Sequence, residues 1–441
     1  MAIVSKVAEL VQNVLGPLAE EVARDVPIIK RRRKFSASTL AQTLIWGFLA
    51  KRNPSDADLA RTALLCDVEV SPQAIEQRFT PTLVTFLKVL FLRAVEHRIQ
   101  ADQAVASLLQ RFSAVFLLDS SSVTLPDELK VEFPGRGGSF GGGQAAVKFQ
   151  VRLDLRGGTL DAVAPESGRT CDQGTPRQRD PLPAGSLRIT DLGYFDTKTF
   201  RSLENQGAFW LSRLSVVTEI FTSTGEPIQQ IEDLFKDGQR FVDCTILLGK
   251  GAKHACRLVG WRVPEEVANR RRQKLDEVAR EKGTPPPSRK RLDWCDWTLF
   301  VTNVSPDQLS GKEIAVLYRA RWQVELLFKR WKSLGGIAEM SGSTTARRMA
   351  RMWLRMLVTL LQQWFLQATG WGDGRCSYYK AWQVIRDQAS QVARALGSVE
   401  TLIKEIELMG RLIAKTARRD KRKQPGTFEL LNDPSLLEYE A

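Results

Sequence analysis

Apolar residues recur at helical spacing over the first 105 positions, from Ile3 to Val26, Leu40 to Leu49 and Leu83 to Val95. Between them lie two shorter segments, Asp56 to Leu65 and Ser71 to Phe79, the second opening on an N-cap serine and a first-turn proline, Ser71-Pro72. Two short helices on a tight connection fit either a helix-turn-helix with Gln73, Gln77 and Arg78 toward DNA, or an ordinary helical bundle. At 112 to 118 the texture changes to Phe-Ser-Ala-Val-Phe-Leu-Leu, a buried-strand pattern ending at Asp119. Ala145 to Leu155 and Thr159 to Val163 read as a hairpin turning near Gly157 and Gly158. Leu187 to Thr190 is a strand running into Asp191, a helix follows to about Asn205, and Phe209 to Ser212 is a further strand. Strand patterns return at Val216 to Thr222, Gln239 to Leu248, Ala255 to Val263 and Trp297 to Thr302, interrupted by a basic helix near 265–282 and a Pro285-Pro286-Pro287 linker. From Gly311 the chain reads as helical.

Composition narrows the class. The chain has 441 residues, 43% hydrophobic, enough for two or three domains with a sizeable core. Its 64 Lys and Arg against 50 Asp and Glu give a net charge of +14, which points to a polyanionic partner. Two histidines, His97 and His254, argue against a His-rich zinc enzyme. Six cysteines without a C-x2-C pair suit a reduced, cytoplasmic protein. Charged residues break the N-terminal apolar pattern, and no apolar run reaches the ~18 residues of a membrane span, so neither a signal peptide nor a membrane partner is expected. The glycines at 135, 137, 138 and 141 to 143 form neither a phosphate-binding loop nor a dinucleotide fingerprint. They read as a loop between strands. Basic clusters stand at Lys30 to Lys34, Arg270 to Arg272, Arg289 to Arg291, on Arg347, Arg348, Arg351 and Arg355, and in the tail from Lys415 to Lys423. Each is either a solvated face or a phosphate-contacting one.

The candidate chemistry lies in Tyr318 to Lys332. On a helix at about 100° per residue, Arg321, Glu325 and Lys332 point at about −60°, −20° and −40° from Tyr318. A phenol, a guanidinium, a carboxylate and an ammonium on one face suit either a site holding a cation and phosphates together or a solvated ion-pair ladder. Asp119 and Asp191 each follow a short apolar strand, where a carboxylate leaves the core. One acid at each of two strand ends and one on a later helix can hold two divalent cations about 4 Å apart for in-line phosphoryl displacement.

Here the sequence resembles a known family. Tyr318, Arg321, Glu325 and Lys332 have the spacing Y-x2-R-x3-E-x6-K, which resembles the signature of the DDE transposases of bacterial insertion sequences, in the insertion sequence four branch. Asp119 in Leu-Leu-Asp-Ser-Ser resembles the first catalytic acid and Asp191 in Asp-Leu-Gly-Tyr-Phe the second, although Leu192 stands where Arg is common. The separations agree too, 72 residues from Asp119 to Asp191 and 134 from Asp191 to Glu325.

The resemblance implies an α/β fold: a ribonuclease-H-like catalytic core interrupted by a β-rich insertion, with helical N-terminal and C-terminal regions. The implied boundaries are a DNA-binding region over 1–105, core over 106–214 and 311–390, insertion over 215–310, and a C-terminal region with a basic tail over 391–441. Asp119, Asp191 and Glu325 would be catalytic metal ligands for two Mg²⁺ or Mn²⁺ ions. Tyr318, Arg321 and Lys332 would contact transposon-end DNA. Arg213 matches a DNA-contacting arginine, and Trp297, with Trp294 as rival, a tryptophan that stacks on a flipped base; an exposed strand-end arginine and a core tryptophan are the plainer readings. The implied activity is metal-dependent cleavage at transposon ends and strand transfer into target DNA by a homodimer in a synaptic complex. The alternative is a non-catalytic DNA-binding regulator descended from a transposase.

Overall fold

In the computed structural model, residues 2–29, 34–99, 104–137, 143–235, 239–251, 253–420 and 424–437 are described. Most of the Lys30 to Lys34 run, Gly138, Gly141 and Gly142, and the last three residues of the basic stretch at 415–423 lie outside them. The chain divides into two compact units, Met1–Val105 with Ser120–Thr170 and Gln323–Arg422, and Ala106–Asp119 with Cys171–Trp322 and Lys423–Ala441.

The first unit is mainly helical. The apolar stripe from Ile3 to Val26 forms Ala2–Asn13 and Ala19–Asp25, separated by a π-helical turn, Val14–Leu18, that contains Pro17. A proline has no N–H to give the ladder, and a widened turn absorbs that loss. The 25-residue helix Thr345–Thr369 packs against Ala2–Asn13, Ala37–Ala50, Pro81–Glu96 and Val399–Thr416. Apolar residues surround it, so it is buried along most of its length. The two short N-terminal helices are Asp56–Leu64, capped by Ser55, and Pro72–Glu76, capped by Ser71. The second is a single turn; Gln73 and Gln77 are exposed, and the Arg78 guanidinium lies 5.5 Å from the centre of the Phe35 ring.

This unit also holds the hairpin, β2 (Ala146–Asp154) and β3 (Thr159–Ser167), beside the second half of β1 (Val115–Thr124). Its turn sits where the glycine pair predicts, with Gly158 at φ +75°. Gln363 donates to the Gly158 carbonyl at 2.7 Å and Gln367 to the Gly157 carbonyl at 3.1 Å, so two buried glutamines of the long helix fix the turn.

The second unit is built on a sheet ordered β1-β4-β5-β9-β8-β7-β6, with β4 Leu187–Thr190, β5 Phe209–Arg213, β6 Ile220–Thr222, β7 Phe241–Leu248, β8 His254–Arg262 and β9 Trp297–Thr302. β1, β4 and β5 run parallel, and β9, β8, β7 and β6 continue antiparallel from β5. Strands β6 to β9 therefore extend the sheet of the parallel trio. Two expectations need correcting. β1 does not stop at Asp119 but runs on to Thr124, because Ser121 and Val123 continue the alternation of buried positions. The segment from Val216 is strand only over Ile220–Thr222.

Trp353, on the long helix, is 1% exposed and packs its ring 5.7 Å from Phe91 and 6.1 Å from Phe149. Trp353→Ala is expected to lower the stability of this unit by about 3–5 kcal/mol, read from the denaturant midpoint of equilibrium unfolding. A loss below about 1 kcal/mol would show that the helix does not organise this core.

Candidate functional site

The pairing of the parallel strands decides which side chains meet. Leu118 pairs with Thr190 and Ile189 with Leu211. One step past the first pair stand Asp119 and Asp191, the latter still extended at φ −85°, ψ −177°. Two steps past the second, Asp191 stands beside Arg213, and Arg213 in turn pairs with Phe300 of β9. Asp119, Asp191, Arg213 and Phe300 thus form one row across four neighbouring strands, each about 4.8 Å from the next. Period-two alternation puts the row on the face that carries Val115, Leu117, Ile189 and Leu211, all buried. Polar residues at the carboxyl ends of buried parallel strands are where open α/β sheets place their ligand sites.

The helix Gly311–Ala320, capped by Ser310, brings Tyr318 and Arg321 over this row. The Tyr318 ring lies 4.8 Å from the Phe300 ring, the Arg321 guanidinium 5.8 Å from the centre of the Tyr318 ring, and Arg321 Nη1 3.4 Å from Asp119 Oδ2. Burial raises the Tyr318 pKa above that of a free phenol; the positive charges of Arg321 and Arg213 oppose the rise, and the Asp191 carboxylate adds to it. Five of the expected groups, Asp119, Asp191, Arg213, Tyr318 and Arg321, are therefore assembled within this unit.

Glu325 and Lys332 lie on the next helix, Trp322–Ser333, in its first and last turns. Tyr318 to Lys332 is not one continuous helix. It breaks at Arg321, whose N–H returns to the Tyr318 carbonyl at 3.1 Å in a tight three-residue turn. Lys332 has its pKa lowered by partial burial of its side chain. Glu325 belongs with the helical unit, Asp119 and Asp191 with the sheet unit. Among the described residues no group of three or more His, Cys, Asp or Glu side chains is arranged to hold a metal ion. Asp119 and Asp191, hard oxygen donors at neighbouring register positions, are of the kind a divalent cation takes.

Sequence reasoning missed two features here. A Cβ on Gly193 would stand 3.1 Å from both Asp191 Oδ1 and Asp172 Oδ2, so a further carboxylate, Asp172, adjoins the second acid. Asp191 also accepts from the Gly193 N–H at 2.9 Å. Nothing in the spacing of Asp172 marked it. Trp322, between Arg321 and Glu325, is 50% exposed, which is unusual for an indole.

Trp297 is 5% exposed, stacked on Phe235 at 4.0 Å, and donates its indole N–H to Glu232 at 3.2 Å. It also borders a cavity of about 370 Å³ with Arg213, Arg271, Lys274, Arg291 and Trp294, and among the described residues no acid lines it. Arg271 is fixed there by the Trp297 carbonyl at 2.9 Å and Thr298 Oγ1 at 3.0 Å. Burial lowers its pKa, helped by the charge of Arg213.

The arginines of the Thr345–Thr369 helix find partners inside their own unit. Arg347 pairs with Asp56 and lies 4.6 Å from the centre of the Phe79 ring. Arg351 donates to Ser341 at 2.9 Å, and Arg355 binds the Glu339 carbonyl and Asn53 Oδ1.

The fold is thus a mixed α/β one, with two acids just past the last parallel pair of β1 and β4, Asp119 within β1 and Asp191 directly after β4. A family model described as the transposase DDE domain matches residues 110–361, more than half of the chain. The chain is 26% identical over 453 residues to the transposase for insertion sequence element IS231B of Bacillus thuringiensis subsp. berliner, covering 95% of this chain and 93% of that one. It is 24% identical over 362 residues to the transposase for insertion sequence element IS1151 of Clostridium perfringens, covering 77% and 76%. A solved piggyBac transposase synaptic complex with hairpin DNA aligns with 100% of this chain and 84% of its own at a TM-score of 0.37 and 10% identity. The chain belongs to the DDE-domain transposases, in the insertion sequence four branch, and so to the enzymes that act on DNA in transposition. Among the described residues, no helix is long and apolar enough to cross a membrane.

The charges around Tyr318 make opposite predictions. In Arg321→Met or Arg213→Met the Tyr318 phenol should titrate at higher pH than in the parent, and in Asp191→Asn at lower pH, followed by NMR of labelled tyrosine. Shifts of one sign in all three variants would show that these groups do not share one field.

Proposed function

We propose that this chain cuts DNA at the ends of its insertion sequence and joins the freed 3′-hydroxyl to target DNA, using Asp119, Asp191 and Glu325 as the catalytic acids. The observation that carries the proposal is the row in which Asp119 and Asp191 stand side by side beneath Arg321 and Tyr318. The strand pattern, a parallel β1, β4 and β5 beside which β1 also adjoins an antiparallel hairpin, supports a ribonuclease-H-like core with β6 to β9 as its β-rich insertion.

In this reading Asp119, Asp191 and Glu325 would supply the oxygen ligands that hold a pair of Mg²⁺ or Mn²⁺ ions. When bound, such a pair supplies a nucleophilic oxygen and neutralises the charge of the leaving oxygen in an in-line displacement. The chain's own part is placement. Arg321, already within reach of Asp119, turns to the scissile phosphate, and Tyr318 holds it from below. Lys332, with its partly buried stem, meets a neighbouring phosphate as a point charge. Arg213 links the acid row to the basic cavity, where Trp297 and Trp294 offer aromatic surface to an unstacked base. Cutting frees a 3′-oxygen at the transposon end. In strand transfer that oxygen attacks a target phosphorus, a bond to phosphorus forms as the target's own 3′-oxygen leaves, and no oxidant or nucleotide is required. We assign the working form to a homodimer on paired ends, in the cytoplasm where the DNA lies.

Asp119→Asn, Asp191→Asn and Glu325→Gln should each cut a matched transposon end on the order of 10³ times more slowly with Mg²⁺, while gel-shift affinity for that end stays within about threefold of the parent. Wild-type cutting by Glu325→Gln would remove the assignment. Binding without cutting by the parent, in both Mg²⁺ and Mn²⁺, would leave a DNA-binding regulator as the reading.

A further inference from the structure

The helix that carries Glu325 and Lys332 has a third long polar residue on its other side. Arg330 follows Glu325 by five positions, about 140° around the helix, whereas Lys332 follows it by seven and returns to within about 20°. Arg330 is 6% exposed, and among the described residues no acceptor meets its Nε or Nη2. What it meets is an aromatic face, its guanidinium carbon lying 5.1 Å from the centre of the Tyr378 ring. Among the described residues the titratable groups acting on it are Tyr378, Arg419 and Cys376, of which only Arg419 is charged at neutral pH, and burial draws its pKa down to about 10, so it stays charged there.

Tyr378 is itself held in place. It is 5% exposed, stacks on Trp371 at 5.3 Å and 16°, and its hydroxyl accepts from the Gly372 N–H at 3.0 Å. Trp371 donates its indole N–H to the Leu155 carbonyl in the β2–β3 turn at 3.1 Å. A side chain on Gly158 would overlap the Trp371 ring, so the turn closes onto that indole. A chain of contacts therefore leads from the hairpin turn through Trp371 and Tyr378 to the back of the helix bearing Glu325. A buried guanidinium with two of its three nitrogens lacking acceptors among the described residues is costly anywhere its charge has no use. Resting on a desolvated ring it becomes an anchor whose direction the ring sets.

We propose that Arg330 is a positioning residue: its seat on Tyr378 sets the rotation of the Trp322–Ser333 helix, and with it the direction in which Glu325 and Lys332 point. The catalytic consequence rests on the reading of Glu325 given above; the anchoring of the helix does not. Losing the anchor frees the helix to turn and roll by a few degrees, enough to move a carboxylate oxygen out of a coordination position without unfolding the core.

The test compares Arg330→Met, Arg330→Lys, Tyr378→Leu and Tyr378→Phe in the full chain. Amide hydrogen exchange over 322–333 should lose protection by about tenfold in Arg330→Met and Tyr378→Leu, while 345–369 keeps its protection. Single-turnover cutting should slow by about 30-fold or more, with severalfold more Mg²⁺ needed for half-maximal rate. Arg330→Lys and Tyr378→Phe keep a cation and a ring and should recover most of both effects. A merely structural role predicts a smaller folded fraction with an unchanged metal requirement and no rescue, and would overturn the proposal. So would unchanged exchange over 322–333, or a wild-type rate for Arg330→Met beside an inert Glu325→Gln. A wild-type rate for Glu325→Gln would instead sink the catalytic reading and leave exchange to decide the anchor alone.

Discussion

Two aspartates side by side on adjacent strands, whose backbones are about 4.8 Å apart, repel each other unless positive charge is brought to them, and this constraint organises the site. The register of β1 against β4 makes the pair unavoidable once Leu118 faces Thr190. The same row continues to Arg213, and Arg321 reaches Asp119 from above. Tyr318 lies between these charges, its ring on Phe300 and its hydroxyl under the influence of both arginines and of Asp191. Each group is where it is because a strand partner or a ring holds it there. A site built on paired strands and one helix end is stiffer than one built on loops, and holding charges of both signs close together requires that stiffness.

The two units do different work in supporting this chemistry. In the sheet unit, β6 to β9 continue the parallel trio, and the Glu265–Glu281 helix and Trp294 border the basic cavity that includes Arg213. In the helical unit, the buried Thr345–Thr369 helix holds the hairpin turn through Gln363 and Gln367. Trp371 and Tyr378 then carry that turn to Arg330 on the helix of Glu325.

Much of this was legible in the chain because short, strongly patterned segments leave little choice. Trp297–Thr302 is a strand with the limits its β-branched and aromatic residues imply, and Asp191 follows β4 directly because Leu-Arg-Ile-Thr is a complete buried strand. Asp119 was read as the end of its strand, whereas β1 runs on to Thr124, since a run of serines carries no apolar signal and only its pairing makes it β. The break at Arg321 was invisible, as its dihedrals remain helical at φ −52°, ψ −30° while the ladder is interrupted. Asp172 and Arg330 were missed for one shared reason. Each matters through residues far away in sequence, Asp191 for one and Tyr378 for the other, and no periodicity reports a partner 19 or 48 positions distant.

The excess of base that the sequence shows does not serve one purpose, and the structure separates its uses by what surrounds each charge. Arg347 and Arg355 have acids or carbonyls inside their own unit, so their charges are already answered. Arg257 is likewise closed off by Asp243 at 2.6 Å. Turning such an arginine to a phosphate would give up the partners it already has and draw a buried guanidinium out of its seat. Arg213, Lys274 and Arg291 border a cavity that no acid lines among the described residues. Positive charges gathered there raise one another's free energy until an anion arrives, so a polyanion gains more from such cations than from those already paired. Net charge alone could not make this distinction, because +14 counts the answered arginines and the unanswered ones alike.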